Sequence, residues 1–142
     1  MDAQEPEHQS IDSVKILLLG LVLLIQSFSS NAQWTISGTN NEFTHYINRA
    51  TIRRTGDLST MWSLWDYNKV ITTDQYKYLS DSEQREYDCK AKKHRVLGFF
   101  WFSQEMGNGD VVYSTNKTTM KWLPVESGTT GETLWQYACG EK

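Results

Sequence analysis

Several features that would point to a common function class are scarce in this chain of 142 residues. No apolar run reaches the roughly 20 residues that a membrane-spanning helix needs, so no stable membrane span is expected. Positive charge is not in excess, because 14 Lys and Arg stand against 17 Asp and Glu, and this argues against a nucleic-acid partner. With two prolines and 13% aromatic residues, the composition is typical of one small folded domain rather than of a disordered chain.

The N-terminus has the pattern of a secretory signal peptide. Ten apolar residues, Ile16–Ile25, match the hydrophobic region of such a peptide and are too few for a membrane span. Small residues follow and predict cleavage between Ala32 and Gln33. The chain then divides into a signal peptide, residues 1–32, and an exported mature domain, residues 33–142. An uncleaved anchor and a buried core helix are the alternative interpretations of the apolar run.

The residues ahead of Lys15 are acidic, whereas this part of a signal peptide is normally basic. A translation start at Val14 would explain the difference, since the charge of Lys15 would then stand directly before the apolar run. On that hypothesis residues 1–13 are not part of the protein.

Export also bears on the two cysteines, Cys89 and Cys139. Because secreted proteins meet an oxidising compartment, we predict that the two form a disulfide, which leaves no thiol nucleophile. For a loop of this length the chain-entropy treatment gives about 4 kcal/mol of stabilisation. The mature chain has two histidines, His45 and His94, and neither lies in a catalytic or metal-binding motif. We therefore expect no enzyme activity, no metal and no cofactor.

The mature sequence predicts strands followed by one helix. Turn residues around Gly56 favour a hairpin, and the polar segment Asp81–Arg85 favours a turn. The run Glu86–Ser103 is predicted as one long strand, with a bulge or bend near Lys92–His94 or at Gly98.

The last segment predicts a short C-terminal helix. Thr129 or Thr130 can cap its first turn, and Gly140 is suited to its C-terminal end.

Bulky apolar groups on both faces of the predicted strand Thr60–Trp65 indicate a sheet that is covered on both sides or closed into a barrel. The expected fold class is mainly β (α+β), a single antiparallel sheet or small barrel with a C-terminal helix held by the disulfide.

Two segments are candidate contacts for a protein partner. One is the positive run that follows Cys89, together with two earlier arginines; it is either a patch for an acidic partner or a solvated strand face that protects an edge. The other is the hairpin tip predicted at Gly107–Asp110. The candidate contact residues are Lys90, Lys92, Lys93, Arg95, Arg53, Arg54, Asn108 and Asp110.

Six tryptophans are many for a domain of this size. They either form an aromatic surface for protein or sugar, or fill the core. Trp34 and Trp122 stand next to polar stretches and are expected to be the most exposed.

Three pieces of the mature sequence carry a family resemblance when taken together. They are T-I-R-R at Thr51–Arg54, E-Y-D-C-K at Glu86–Lys90 and L-W-Q-Y-A-C at Leu134–Cys139. In this order they resemble the surface-adhesin protein E family of exported bacterial proteins, and the resemblance covers nearly all of the mature chain. It implies an antiparallel sheet or small barrel, a C-terminal helix tied to it by the disulfide, and a location in the periplasm or on the outer surface of a Gram-negative bacterium.

The same resemblance suggests what the chain binds. Members of the family bind host extracellular-matrix proteins, and one member inhibits c-type lysozyme. The function expected here is that of an adhesin-like binding protein with a protein partner. Inhibition of c-type lysozyme is one alternative, and an envelope structural domain without a host role is another. A homodimer is also left open.

Overall fold

A computed structural model of the chain describes residues 34–117 and 121–140. The predicted signal peptide, its cleavage site between Ala32 and Gln33, and the hypothetical start at Val14 lie outside the described residues. The described part contains seven strands, a short 3₁₀ turn at Glu105–Gly107 and an α-helix. The bounds are β1 Trp34–Thr39, β2 Phe43–Thr55, β3 Leu58–Thr72, β4 Lys77–Asp88, β5 Lys93–Phe102, β6 Val111–Thr115, β7 Leu123–Pro124 and α1 Thr130–Cys139.

The strands form one antiparallel sheet in which each strand from β1 to β6 pairs with the next along the chain. β7 pairs with the start of β5, beside the stretch that β6 occupies. In the described residues β1 is not paired with β6 or β7, so the sheet is open. The mainly β fold with a C-terminal helix is confirmed, and the small barrel is wrong. Closure is not needed to cover the apolar side chains, because α1 packs on one face of the sheet.

The polar segment Asp81–Arg85 does not form the predicted turn. It lies inside β4, hydrogen-bonded to β3 on one side and to β5 on the other. Its charges find partners in the fold: Glu83 accepts hydrogen bonds from the guanidinium of Arg85 at 2.7 and 3.2 Å, and Asp81 accepts one from the hydroxyl of Tyr67 at 2.8 Å. A charged segment can therefore stay in a central strand, since its side chains are paired there.

The run Glu86–Ser103 is not one strand. The chain turns back after Asp88, whose carboxylate accepts the backbone N–H groups of Lys90 and Ala91 at 3.1 and 2.7 Å. The bulge expected near Lys92–His94 or at Gly98 is present at Gly98, where the β4–β5 register shifts.

The core is the contact between α1 and the sheet, and we call the covered side the helix face. The residues of α1 that pack there follow helical spacing, as the sequence predicts. The fully buried members are Leu134, Trp135 and Ala138 of the helix and Ile47, Met61 and Tyr87 of β2, β3 and β4.

Both ends of α1 are capped as predicted. The hydroxyl of Thr129 accepts the N–H of Glu132 at 3.2 Å, and Gly140 adopts the left-handed conformation with φ of 78°. The Cys89–Cys139 disulfide is present and joins the β4–β5 turn to the last residue of the helix.

The double variant Cys89→Ala/Cys139→Ala is expected to unfold more easily. The disulfide closes a 50-residue separation, and its loss returns conformational freedom to the unfolded chain. We expect the free energy of unfolding in urea to fall by about 2–5 kcal/mol. Reductant should lower the stability of the wild-type protein similarly and leave the double variant unchanged. Equal stability of the reduced and oxidised wild type would contradict this role.

Candidate functional site

The two ends of the sheet carry opposite net charge. At the end formed by residues 53–60 and 86–95, which we call the basic end, six cations stand against three carboxylates. At the other, formed by residues 40–43, 66–77 and 103–111 and called the acidic end, five carboxylates stand against two lysines. Strand β5 runs between them and spans about 30 Å. Residues 33–142 have no net charge, with 13 Lys and Arg against 13 Asp and Glu, but the sheet is electrically polar along its strands.

The structure brings six of the eight candidate contact residues together at the basic end, but some of them hold the fold. Arg54 donates from Nε and Nη2 to the carbonyl of Ala138, at 3.2 and 3.0 Å, and so binds the end of α1. Arg95 donates to the carboxylate of Glu86 at 2.7 Å, and its guanidinium lies 4.6 Å from the ring centre of Trp122. The charge of Arg95 is thus paired with a carboxylate, and the guanidinium of Arg54 is held against the end of the helix.

Lys90 and Lys93 are the unpaired cations of the basic end. Both are exposed, and within the described part of the chain neither ammonium group has a hydrogen bond or an ion pair. Lys92 differs, because its ammonium lies 5.0 Å from the ring centre of Trp135. Arg53 is exposed as well, and its Nη1 donates to the carbonyls of Ala50 and Ile52 at 2.8 Å.

The remaining two candidates, Asn108 and Asp110, lie at the acidic end. The side-chain amide of Asn108 donates to the carbonyl of Glu105 at 2.9 Å, and the backbone N–H of Asp110 donates to the hydroxyl of Ser103 at 2.9 Å. The tip is thus a locally bonded turn with exposed acidic side chains. The eight candidates fall into two separate surfaces rather than one site.

The prediction that Trp34 and Trp122 are the most exposed tryptophans stays a prediction, because five of the six tryptophans are partly exposed. Trp34 and Trp122 are half-buried, like Trp62, Trp65 and Trp101. Only Trp135 is fully buried, at 2% exposure.

The sequence reasoning missed an aromatic surface on the helix face, beyond the part that α1 covers. Tyr78 stacks on Trp101 with ring centres 4.5 Å apart and an interplanar angle of 9°. Trp101 is also 5.0 Å from Tyr113 and 5.5 Å from Phe99, and Tyr76 is 5.1 Å from Tyr113. We call these five rings, with the cavities they line, the aromatic groove. A period of two in Tyr76–Tyr78 and in Phe99–Trp101 is the sequence signal that could have found it.

Two cavities run along the groove. One, of about 300 Å³, is lined by aromatic rings and by three ionisable residues of β4; the other, of about 450 Å³, extends toward the β3–β4 loop. Phe99 and Trp101 line both of them. The two cavities are therefore adjacent.

The ionisable side chains of the smaller cavity are Asp81, Glu83 and Arg85. Glu83 and Arg85 form an ion pair with each other. Asp81 is 6% exposed; its Oδ2 accepts the Tyr67 hydroxyl, and its Oδ1 has no hydrogen-bond partner among the described residues. Burial raises the pKa of Asp81 to about 7, and the neighbouring charge of Glu83 adds to the rise.

His45 is a structural residue rather than a ligand. It is fully buried, its Nδ1 lies 2.6 Å from the hydroxyl of Ser37, and its ring contacts Trp65 edge to face. Burial, with a smaller contribution from Arg85, lowers the pKa of His45 to about 3. The described residues hold no group of three metal-ligating side chains. Nor does any helix among them have the length and apolar character to cross a membrane.

Asp81→Asn is expected to remove the contribution of Asp81 to the pH dependence of stability. In the folded protein Asp81 keeps its proton up to about pH 7, whereas an unfolded aspartate loses it near pH 4. The stability that protonated Asp81 contributes to wild type is therefore lost as the pH rises through this window. We expect the unfolding free energy of D81N, minus that of wild type, to increase from about pH 4 to about pH 7 in urea titrations.

His45 acts in the opposite direction, because its neutral form is favoured in the fold and its contribution is lost as the pH falls below about 6.5. That contribution is present in both proteins and cancels in the difference. A difference that stays constant across the pH range would show that Asp81 titrates normally.

Comparison with known proteins agrees with this fold. A structure of protein E from non-typeable Haemophilus influenzae is 13% identical with a TM-score of 0.59, and the match covers 80% of this chain and 79% of that one. Crystal form II of Haemophilus influenzae protein E is 12% identical with a TM-score of 0.57, over 74% of this chain and 92% of that one. At such identities the likeness shows the fold alone.

A comparison with curated proteins finds no match. The sequence profile of the family described as surface-adhesin protein E matches residues 34–140. The matched region contains the whole sheet, the disulfide and α1. This chain therefore belongs to the surface-adhesin protein E family.

Proposed function

We propose that this chain is an exported, non-enzymatic binding protein of the Gram-negative cell envelope, adhesin-like, whose basic end binds an acidic surface of a protein partner. The observation that carries the proposal is the pair of exposed, unpaired ammonium groups of Lys90 and Lys93, with Arg53 at the same end of the sheet. Family membership supports a surface-adhesin role. The partner class that we propose is a host extracellular-matrix protein, as the family resemblance of the sequence implies.

The turn that carries these charges is held in place before any partner arrives. The disulfide fixes Cys89, and the carboxylate of Asp88 accepts two backbone N–H groups of the turn. A prearranged turn loses little conformational entropy on binding. Exposed cations on it would accelerate the encounter with an acidic surface, with a strong dependence on ionic strength.

The experiment is charge reversal at the basic end with a matched control at the acidic end. Lys90→Glu/Lys93→Glu should slow association with solubilised extracellular matrix at least about tenfold at low salt, measured by biolayer interferometry. Lys69→Glu/Lys77→Glu changes the net charge equally but alters the acidic end. Equal slowing by both double variants would show that only net charge matters. Binding that neither variant affects would show that the basic end is not the interface.

Inhibition of c-type lysozyme is a second candidate, and the acidic end favours it. A chain without net charge is not attracted as a whole to a basic enzyme. The local excess of carboxylates would instead steer the acidic end of the sheet toward the enzyme. Glu105 and Asp110 stand exposed beside the tip, where a partner could reach them.

Hen egg-white lysozyme activity in the presence of the purified mature protein tests this second function. Stoichiometric inhibition that weakens at least tenfold in Glu105→Gln/Asp110→Asn, and not in Lys90→Glu/Lys93→Glu, would support it. No inhibition at tens of micromolar protein would leave matrix binding as the function.

A further inference from the structure

The aromatic groove contains a carboxyl group that no cation of the described chain pairs with. Glu83 and Arg85 neutralise each other, since the guanidinium of Arg85 holds both carboxylate oxygens of Glu83. Asp81 lies in the same cavity and has only the uncharged hydroxyl of Tyr67 as its partner. Its Oδ1 is buried without a hydrogen bond, which is costly for a polar atom in a folded protein. Asp81 is thus the one carboxyl group of this cavity without a cationic partner among the described residues.

Asp81 stands between two indole rings. In the sheet register it lies directly opposite Trp65 of β3 on one side and Trp101 of β5 on the other. Directly opposed residues share a face of the sheet, so the carboxyl group and the rings face the same side. Aromatic faces attract cations, and the attraction is strongest for the indole of tryptophan.

The rings are held in position by one another. Tyr78 stacks on Trp101, and Trp101 also contacts Phe99 and Tyr113. Rings fixed in this way lose little conformational entropy when a ligand binds. The adjoining cavity of about 300 Å³ is at the lower limit for ligand pockets, which favours a single side chain over a large ligand.

We propose that the aromatic groove binds the arginine side chain of a partner polypeptide, with the guanidinium directed to Asp81 and packed against Trp101. A planar guanidinium can donate two hydrogen bonds to a carboxylate and stack on an aromatic face at the same time, which a lysine ammonium cannot do. The groove lies on the helix face, so this site is separate from the basic end and its test is independent of that proposal.

Arginine binding should be linked to the proton on Asp81. The groups that act on this carboxyl are Glu83 and Arg85 of its own strand and Tyr67 of β3, and Asp81 in turn raises the pKa of Tyr78. A bound guanidinium favours the ionised carboxylate and lowers the pKa of Asp81 from about 7. Affinity should therefore weaken as the pH falls from about 8 to about 5, with protons released on binding near pH 7.

The test is an NMR titration of the purified mature protein with acetyl-Gly-Arg-Gly-amide. The matched control peptide has citrulline in place of arginine, which keeps the shape and removes the charge. We expect a saturable shift of the Trp101 indole N–H signal at millimolar peptide, assigned with Trp101→Phe, and at least about tenfold weaker binding of the citrulline peptide. Asp81→Asn should weaken arginine binding to the level of citrulline, whereas Glu126→Gln, at an exposed position outside the groove, should leave it unchanged.

Three results would overturn the proposal. The first is equal affinity for the arginine and citrulline peptides. The second is a Trp101 shift with chitotetraose and none with the arginine peptide, which would make the groove a sugar site. The third is a shift that depends on protein concentration alone, which would make it a contact between copies. If Asp81→Asn does not fold, the pH dependence of arginine binding to wild type decides the matter, since pH-independent affinity would exclude Asp81.

Discussion

The attachment of the C-terminal end of α1 to the sheet is the constraint on which the rest of the structure depends. The carbonyl of Ala138 accepts hydrogen bonds from the hydroxyl of Ser59 at 2.8 Å and from the guanidinium of Arg54, and the next residue is disulfide-bonded to Cys89. A helix of ten residues is marginal on its own. Its last turn is therefore held by the disulfide from the β4–β5 turn and by three hydrogen bonds, two from β2 and one from β3.

This attachment decides which part of the helix face is covered. With its C-terminal end fixed at the basic end, α1 packs over Ile47, Met61 and Tyr87. The rows of side chains nearer the acidic end stay outside this contact, and there the face is covered by aromatic rings instead. Asp81 and the ion pair of Glu83 with Arg85 lie at the boundary between the two regions. The groove is thus a consequence of a short helix on a long sheet.

Local signals made part of this fold predictable, and tertiary pairing made the rest unpredictable. The turn at Gly56, the caps at Thr129 and Gly140, and the cysteine pair are all set by neighbouring residues or by the compartment. The segment Asp81–Arg85 is different, because its strand conformation depends on partners in other strands that composition cannot reveal. The same holds for the groove, whose rings come from three strands and a loop. The sequence predicted that the cations of the basic end cluster together. It could not show which of these cations are unpaired.

The register shift beside Gly98 links the fold to the groove most directly. Before the shift Glu83 lies opposite Phe99, and after it Arg85 lies opposite Val96, so one residue of β5 is left without a partner. Because side chains alternate along a strand, this extra residue allows Val96 and Phe99, three positions apart, to line the same cavity. A β-carbon at Gly98 would lie 2.8 Å from the carbonyl oxygen of Thr115, so only glycine lets β6 approach here. In a regular strand Leu97 would lie opposite Arg85 and Val96 would face the other side of the sheet, so the register shift is what makes Val96, together with Phe99, the apolar wall beside the ion pair of Glu83 with Arg85.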